Sequence, residues 1–234
     1  LFPGFIDAHT HMALEVSNTV TADDFYSGTR AELAGGTTCI IDFATQYEGE
    51  SLAQAIENWH QKADGECSCD YAFHLAISQW NEEISRELEQ VVEEEISSFK
   101  MYMTYDNRVD DETMYEILSR LKELGGIAGV HCENHGIISA RLKETEVKKG
   151  GRTDVSDYPW TRPKEAEAEA VGRLLKIAKC VDTPVNRGPS EYSGRIQRDS
   201  CEREKKVRQY TWRTCPSICS WTESRFILFS RGRS

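Results

Sequence analysis

Up to Pro184 the chain alternates short runs rich in β-branched and aromatic residues with longer amphipathic segments, the rhythm of repeated strand–helix units around a parallel sheet. Strands are expected at residues 5–11, 37–43, 71–77, 98–103 and 127–132. Helices are expected between and after them, at residues 22–34, 51–62, 85–95, 110–124 and 162–179. The first opens on acidic residues suited to a helix N-terminus and stops at Gly35-Gly36. In the fourth, Met114, Ile117, Leu118 and Leu121 fall at the spacing of one buried face. Five such units are the first five-eighths of a TIM-like (β/α)8 barrel, a fold of about 250 residues and eight strands. A flavodoxin-like open sheet is the alternative, and strand count does not decide between them.

The rhythm ends after Pro184. Residues 185–234 hold 11 Lys and Arg against 5 Asp and Glu, whereas the whole chain carries −11, which leaves the first 184 residues near −17. No sixth strand is drawn there, and apolar character returns only at residues 226–229. The domain division is therefore 1–185, a partial barrel, and 186–234, an aberrant or disordered basic tail. An acidic body disfavours nucleic acid and anionic membrane as partners. The chain lacks the 18 or more consecutive apolar residues of a membrane span and begins with neither the basic start nor the apolar stretch of a signal peptide, so a cytoplasmic protein is expected. Its eight cysteines are scattered, and reduced thiols are expected rather than a disulfide framework. Cys67-Ser68-Cys69 lacks the two-residue gap of common zinc knuckles and is read as structural.

Chemistry gathers at the expected strand ends. In His9-Thr10-His11 the two-residue step sends both imidazoles to one face, which is metal-ligand geometry at the end of a barrel strand where active sites sit. A packed histidine pair is the plainer reading of an isolated His-x-His. Lys100 lies inside the apolar run Ser98-Phe99-Lys100-Met101-Tyr102-Met103, where a charged, unpaired ammonium is costly. Either the side chain reaches the rim, or burial keeps the amine neutral and nucleophilic. His131 ends the fifth strand as His11 ends the first. Trp59, His60, His74 and His135 are read as surface or packing residues.

The blocks PGFIDAHTHM, TVTADDFYSGTRAELAGGTT, CIIDFATQ, SSFKMYMTYDN, GVHCENHG and YPWTRPKEAEAEAVGRLLKIA occur in that order. Together they resemble the dihydropyrimidinase and D-hydantoinase branch of the amidohydrolase superfamily over roughly residues 1–185. The resemblance implies two divalent metal ions, zinc in kind: His9 and His11 on one, His131 on the other, and Lys100 bridging both as a carbamate formed with carbon dioxide. Tyr105 matches the tyrosine that hydrogen-bonds the developing oxyanion. The implied substrate is a small cyclic amide, a dihydropyrimidine or 5-substituted hydantoin, opened to an N-carbamoyl amino acid by an enzyme that assembles as a homotetramer.

The resemblance also requires a histidine at the end of strand six and an aspartate at the end of strand eight. No histidine follows His135, and residues 186–193 read NRGPSEYS where the family continues into its sixth strand. Residues 210–217, YTWRTCPS, are similar to the family's seventh strand. That echo, with the swing in charge, suggests a reading-frame disturbance near residue 186 and local recovery near Thr214. Relatives place part of a β-sandwich before strand one, which this chain enters directly. An incomplete copy, poorly folded or inactive by itself, is the expectation. Allantoinase and dihydroorotase share the scaffold, but dihydroorotases carry an Arg soon after the His pair, and none precedes Arg30 here. A non-catalytic dihydropyrimidinase-related structural protein is disfavoured by the retained His9, His11, Lys100 and His131.

Overall fold

The computed structural model describes residues 2–16, 19–94 and 96–187. They form two compact units, 2–100 and 101–187, divided after Lys100 within one strand. Residues 188–234, with most of the basic stretch and the 210–217 and 226–229 runs, lie outside the described residues.

In the first unit β1 (Phe5–Thr10), β4 (Thr37–Thr45), β5 (Asp70–Ala76) and the start of β6 (Ser98–Tyr102) pair in parallel, each beside its successor. The helices α1 (Phe25–Gly35), α2 (Leu52–Ala63) and α3 (Glu82–Glu93) connect them. A flavodoxin-like sheet would reverse direction by placing its second strand on the far side of the first. Among the described residues no such reversal occurs, and the strand order is that of a (β/α)8 barrel. An antiparallel hairpin, β2 (Glu15–Val16) and β3 (Thr19–Val20), interrupts the first unit's β1-to-α1 connection.

Local chemistry sets the helix limits. Asp24 and Ser27 form a reciprocal capping box at the start of α1, and Gly36 ends it at φ 97°, in the left-handed region that glycine enters without steric cost. Ser51 and Asn81 cap α2 and α3 through their side-chain oxygens. In α2, Leu52, Ala55, Trp59 and Ala63 are buried at helical spacing, so one face of the helix is packed along its full length.

The second unit contains α4 (Asp111–Leu124), β7 (Ile127–His131), α5 (His135–Lys148), a 3-10 turn (Val155–Asp157), the short α6 (Tyr158–Thr161), α7 (Lys164–Val181) and β8 (Val185–Arg187). The buried residues of α4 are Met114, Ile117, Leu118 and Leu121, the face expected from their spacing. Two elements depart from the sequence reading. Helix α5 carries no clear sequence signal, because its polar and apolar residues are mixed around the axis and only Ile138 and Thr145 are buried. A sixth barrel strand does exist: β8 pairs in parallel with β7, Ala128 opposite Val185 and Gly129 opposite Asn186. Backbone hydrogen bonding is indifferent to side-chain alternation, so three residues after Pro184 complete a ladder that periodicity could not reveal.

Candidate active site

A buried carboxylate organises the end of β1. Asp42, on β4, is fully buried and lies opposite Thr10 in the parallel register. Its Oδ2 accepts from the Thr10 hydroxyl and from the Met12 backbone N–H, each at 2.8 Å. Its Oδ1 accepts from the Phe43 N–H at 2.7 Å and the Trp59 indole N–H at 3.1 Å. Burial pushes the carboxyl above its usual range, while these four bonds oppose the shift. Thr10 and Met12 flank His11, so Asp42 holds the backbone that carries both imidazoles.

With Thr10 turned to Asp42, His9 and His11 turn to Phe43. Their ring centroids lie 5.1 Å apart, and those of His9 and His11 are 4.6 and 4.8 Å from Phe43. The Lys100 ammonium sits 5.5 Å from the same ring, and the residue is only 4% exposed. Burial, rather than extension to the rim, is therefore the outcome for Lys100. The structure thus brings three of the expected residues, His9, His11 and Lys100, around one aromatic side chain.

His74 joins them. Its ring centroid is 4.8 Å from Phe43, its register partner across the sheet. Nε2 lies 3.0 Å from the Ala8 carbonyl, which can only accept, so this nitrogen carries the proton. Nδ1 then accepts from the Ser98 hydroxyl. Burial drives the imidazole pKa down to about 4, with the Lys100 charge acting in the same direction.

The remaining two candidates adjoin in the second unit. Tyr105 follows β6, with its ring 5.2 Å from that of His131 at the end of β7, and the Met103 N–H donates to the His131 carbonyl at 3.0 Å. Tyr105 has φ 75°, a left-handed conformation that costs a non-glycine residue about 1–3 kcal/mol and concentrates at functional sites. Its carbonyl accepts from Arg108 at 2.8 Å. His131 Nε2 meets Glu133 at 2.6 Å, and Glu133 also pairs with Arg162, whose guanidinium lies over the rings of Tyr105 and Tyr158 at 5.2 and 5.0 Å. Burial pushes the Glu133 carboxyl up, but the bonds from His131 and Arg162 outweigh it and hold the group below its usual value.

Four residues of this arrangement escape the sequence reading: Asp42, His74, Glu133 and Arg162. Asp42 has the same signal as Lys100, a charged residue inside an apolar run, in Cys39-Ile40-Ile41-Asp42-Phe43. His74 reads as a packing residue in sequence, and the pairing of Glu133 with Arg162 has no local signal because the two are 29 residues apart in the chain. His135 is only hydrogen-bonded at the start of α5, to Thr104 and Ser139. Among the described residues Cys39, Cys67, Cys69 and Cys180 carry free thiols, and Cys201, Cys215 and Cys219 lie outside them. Among the described residues no helix is long and apolar enough to cross a membrane.

The family model for the amidohydrolase family matches residues 1–180. The dihydropyrimidinase of Dictyostelium discoideum is 45% identical over 188 residues, covering 79% of this chain and 37% of that protein. The D-hydantoinase of Geobacillus stearothermophilus is 46% identical over 182 residues, covering 76% of this chain and 38% of the other. Among solved structures, the D-hydantoinase from a Bacillus sp. AR9 superimposes with a TM-score of 0.82 at 41% identity, over 89% of this chain and 46% of that one. The dihydropyrimidinase from Brevibacillus agri does so with a TM-score of 0.82 at 40% identity and the same coverage. The chain spans under two-fifths of the length of these curated relatives. A match across most of the described barrel, in sequence and in backbone, means that this chain belongs to the amidohydrolase family.

Proposed function

We propose that this chain carries the first strand–helix units of a hydrolase barrel that opens cyclic amides, dihydropyrimidines or 5-substituted hydantoins, to N-carbamoyl amino acids. The observation that carries this reading is the gathering of His9, His11 and buried Lys100 around Phe43.

The donor chemistry fits a pair of divalent cations. Among the described residues no three His, Cys, Asp or Glu side chains assemble as a metal site. The family resemblance gives the third donor beside His9 and His11 to Lys100, and an ammonium, which has no acceptor lone pair, cannot ligate. A neutral amine can attack carbon dioxide, forming an N–C bond and releasing a proton, and the resulting carbamate is an anionic oxygen donor. Burial of Lys100 favours the neutral amine that this requires. By the family resemblance, His131 would serve a second cation. When bound, the cations would polarise the ring carbonyl and bring the pKa of water from about 15.7 toward roughly 7. Tyr105 would donate its O–H to the carbonyl oxygen as negative charge develops there. Addition of water at that carbon and cleavage of its bond to the ring nitrogen, which takes up a proton, give the open product.

The chain's own contribution is tested by zinc content after dialysis and by 13C NMR under 13C-labelled carbon dioxide. The expected results are zinc retention that His9→Ala and His11→Ala abolish, and a carbamate signal that Lys100→Arg removes. A wild-type chain that retains no zinc would overturn the reading and favour the non-catalytic relative. Lacking the strand-six histidine, the 234-residue chain alone is expected not to hydrolyse dihydrouracil. A panel of dihydrouracil, a hydantoin, allantoin and dihydroorotate, offered to a whole barrel carrying this segment, separates the branches.

A further inference from the structure

We propose that His74 is a positioning residue that sets the spacing between the His9-Thr10-His11 strand end and Lys100. The inference rests on the functional reading above, and all the groups it uses lie in the first unit.

His74 is on β5, and its two ring nitrogens reach to either side. Nε2–H donates to the carbonyl of Ala8, the residue before His9 on β1, at 3.0 Å. Nδ1 accepts from the hydroxyl of Ser98, two residues before Lys100 on β6. One rigid ring thus connects the strand that carries the imidazole pair to the strand that carries the lysine, across a sheet in which β4 and β5 stand between them. The connection does not follow from the sheet itself, because β1 and β6 are not paired neighbours.

Packing alone does not require histidine at this position. His74 is 5% exposed and packs on Phe43, a place that an apolar ring of similar size would fill. Such a ring would leave the Ala8 carbonyl without this donor and the Ser98 hydroxyl without this acceptor. The backbone of β1 beside His9 would then be free to shift while the core stayed filled. The Phe43 ring ties the arrangement together, since His9, His11, His74 and the Lys100 ammonium all lie within 5.5 Å of its centroid. Groups that orient metal ligands from behind alter metal affinity by about 10–100-fold when removed. The same scale is expected of a residue that places two ligands through their backbone.

The test compares wild type, His74→Phe and His74→Gln in the full chain. Phenylalanine keeps the ring without its hydrogen bonds, and glutamine offers an N–H for Ala8 and an oxygen for Ser98. Zinc binding by calorimetry is expected to weaken about 10-fold or more in His74→Phe and to recover to within about threefold of wild type in His74→Gln. Long-range 1H–15N spectra of the metal-free chain give an independent readout. They should show His74 as the Nε2–H tautomer, with the His9 and His11 ring signals displaced in His74→Phe and restored in His74→Gln. A His74→Phe chain with unchanged His9 and His11 signals, or with zinc affinity within twofold of wild type, would overturn the inference. If wild type binds no zinc, the functional reading fails, while the NMR comparison still decides the positioning role. A chain in which both variants lose zinc binding and melting temperature together would show a general packing role and also refute it.

Discussion

Replacing Asp42 by asparagine removes a charge but keeps nearly the same volume, so its cost comes from hydrogen-bond geometry. The carboxylate accepts four bonds, and three of the donors, the Met12 and Phe43 backbone N–H groups and the Trp59 indole, cannot reverse their role. Only the Thr10 hydroxyl can turn and accept. The least damaging amide orientation therefore points its NH2 toward Thr10 and leaves the Met12 N–H facing a donor. An orphaned buried donor costs about 1–3 kcal/mol, and the remaining bonds lose their charge assistance. Removing the buried charge, which burial disfavours, offsets part of this. The net is a destabilisation of about 3 kcal/mol, or about 6–12 °C in melting temperature at this chain length. Urea unfolding followed by tryptophan fluorescence measures it. Asp42→Ala, which strands all four donors, should cost more, and Thr10→Val should cost less when combined with Asp42→Asn than in wild type. A loss below about 1 kcal/mol in Asp42→Asn, or equal losses for Asp42→Asn and Asp42→Ala, would refute the four-bond account.

The buried His74 makes stability depend on pH: its folded pKa of about 4 is depressed from 6.5, so the unfolded chain binds the proton more readily. Stability should therefore be full above about pH 6.5 and fall as pH drops toward about 4, by roughly 3 kcal/mol, a slope that His74→Gln flattens in chemical denaturation series. Gly36→Ala should cost about 1 kcal/mol by thermal melting, because φ 97° is unfavourable for any L side chain even though the added Cβ meets Phe5 only at 3.7 Å. Arg162→Met should cost about 2 kcal/mol in urea unfolding by leaving the half-buried Glu133 with one fewer partner, and should raise the Glu133 pKa seen by carboxyl NMR.

Much of the fold was legible along the chain because its signals are local. Alternating apolar runs placed five strands within one or two residues of their observed limits, and the acidic start and Gly35-Gly36 stop bounded the first helix through contacts spanning a few residues. Helix α5 and strand β8 were not legible, one because its residues show no clear face and the other because a three-residue ladder needs only backbone. For the site, His9, His11, Lys100 and His131 could be named from residue type and position in a strand, and Tyr105 from the family resemblance alone. Their supports could not: Asp42 reads as an isolated charge until Thr10, Met12 and Trp59 converge on it, and His74 as a packing residue until Ala8 and Ser98 meet its two nitrogens. The order of residues thus determined which side chains could do chemistry and which faces would be buried, since both depend on covalent neighbours. Only the tertiary structure decided which carbonyl, hydroxyl or carboxylate each buried polar group would meet, because hydrogen bonds act over about 3 Å between atoms tens of residues apart in the chain.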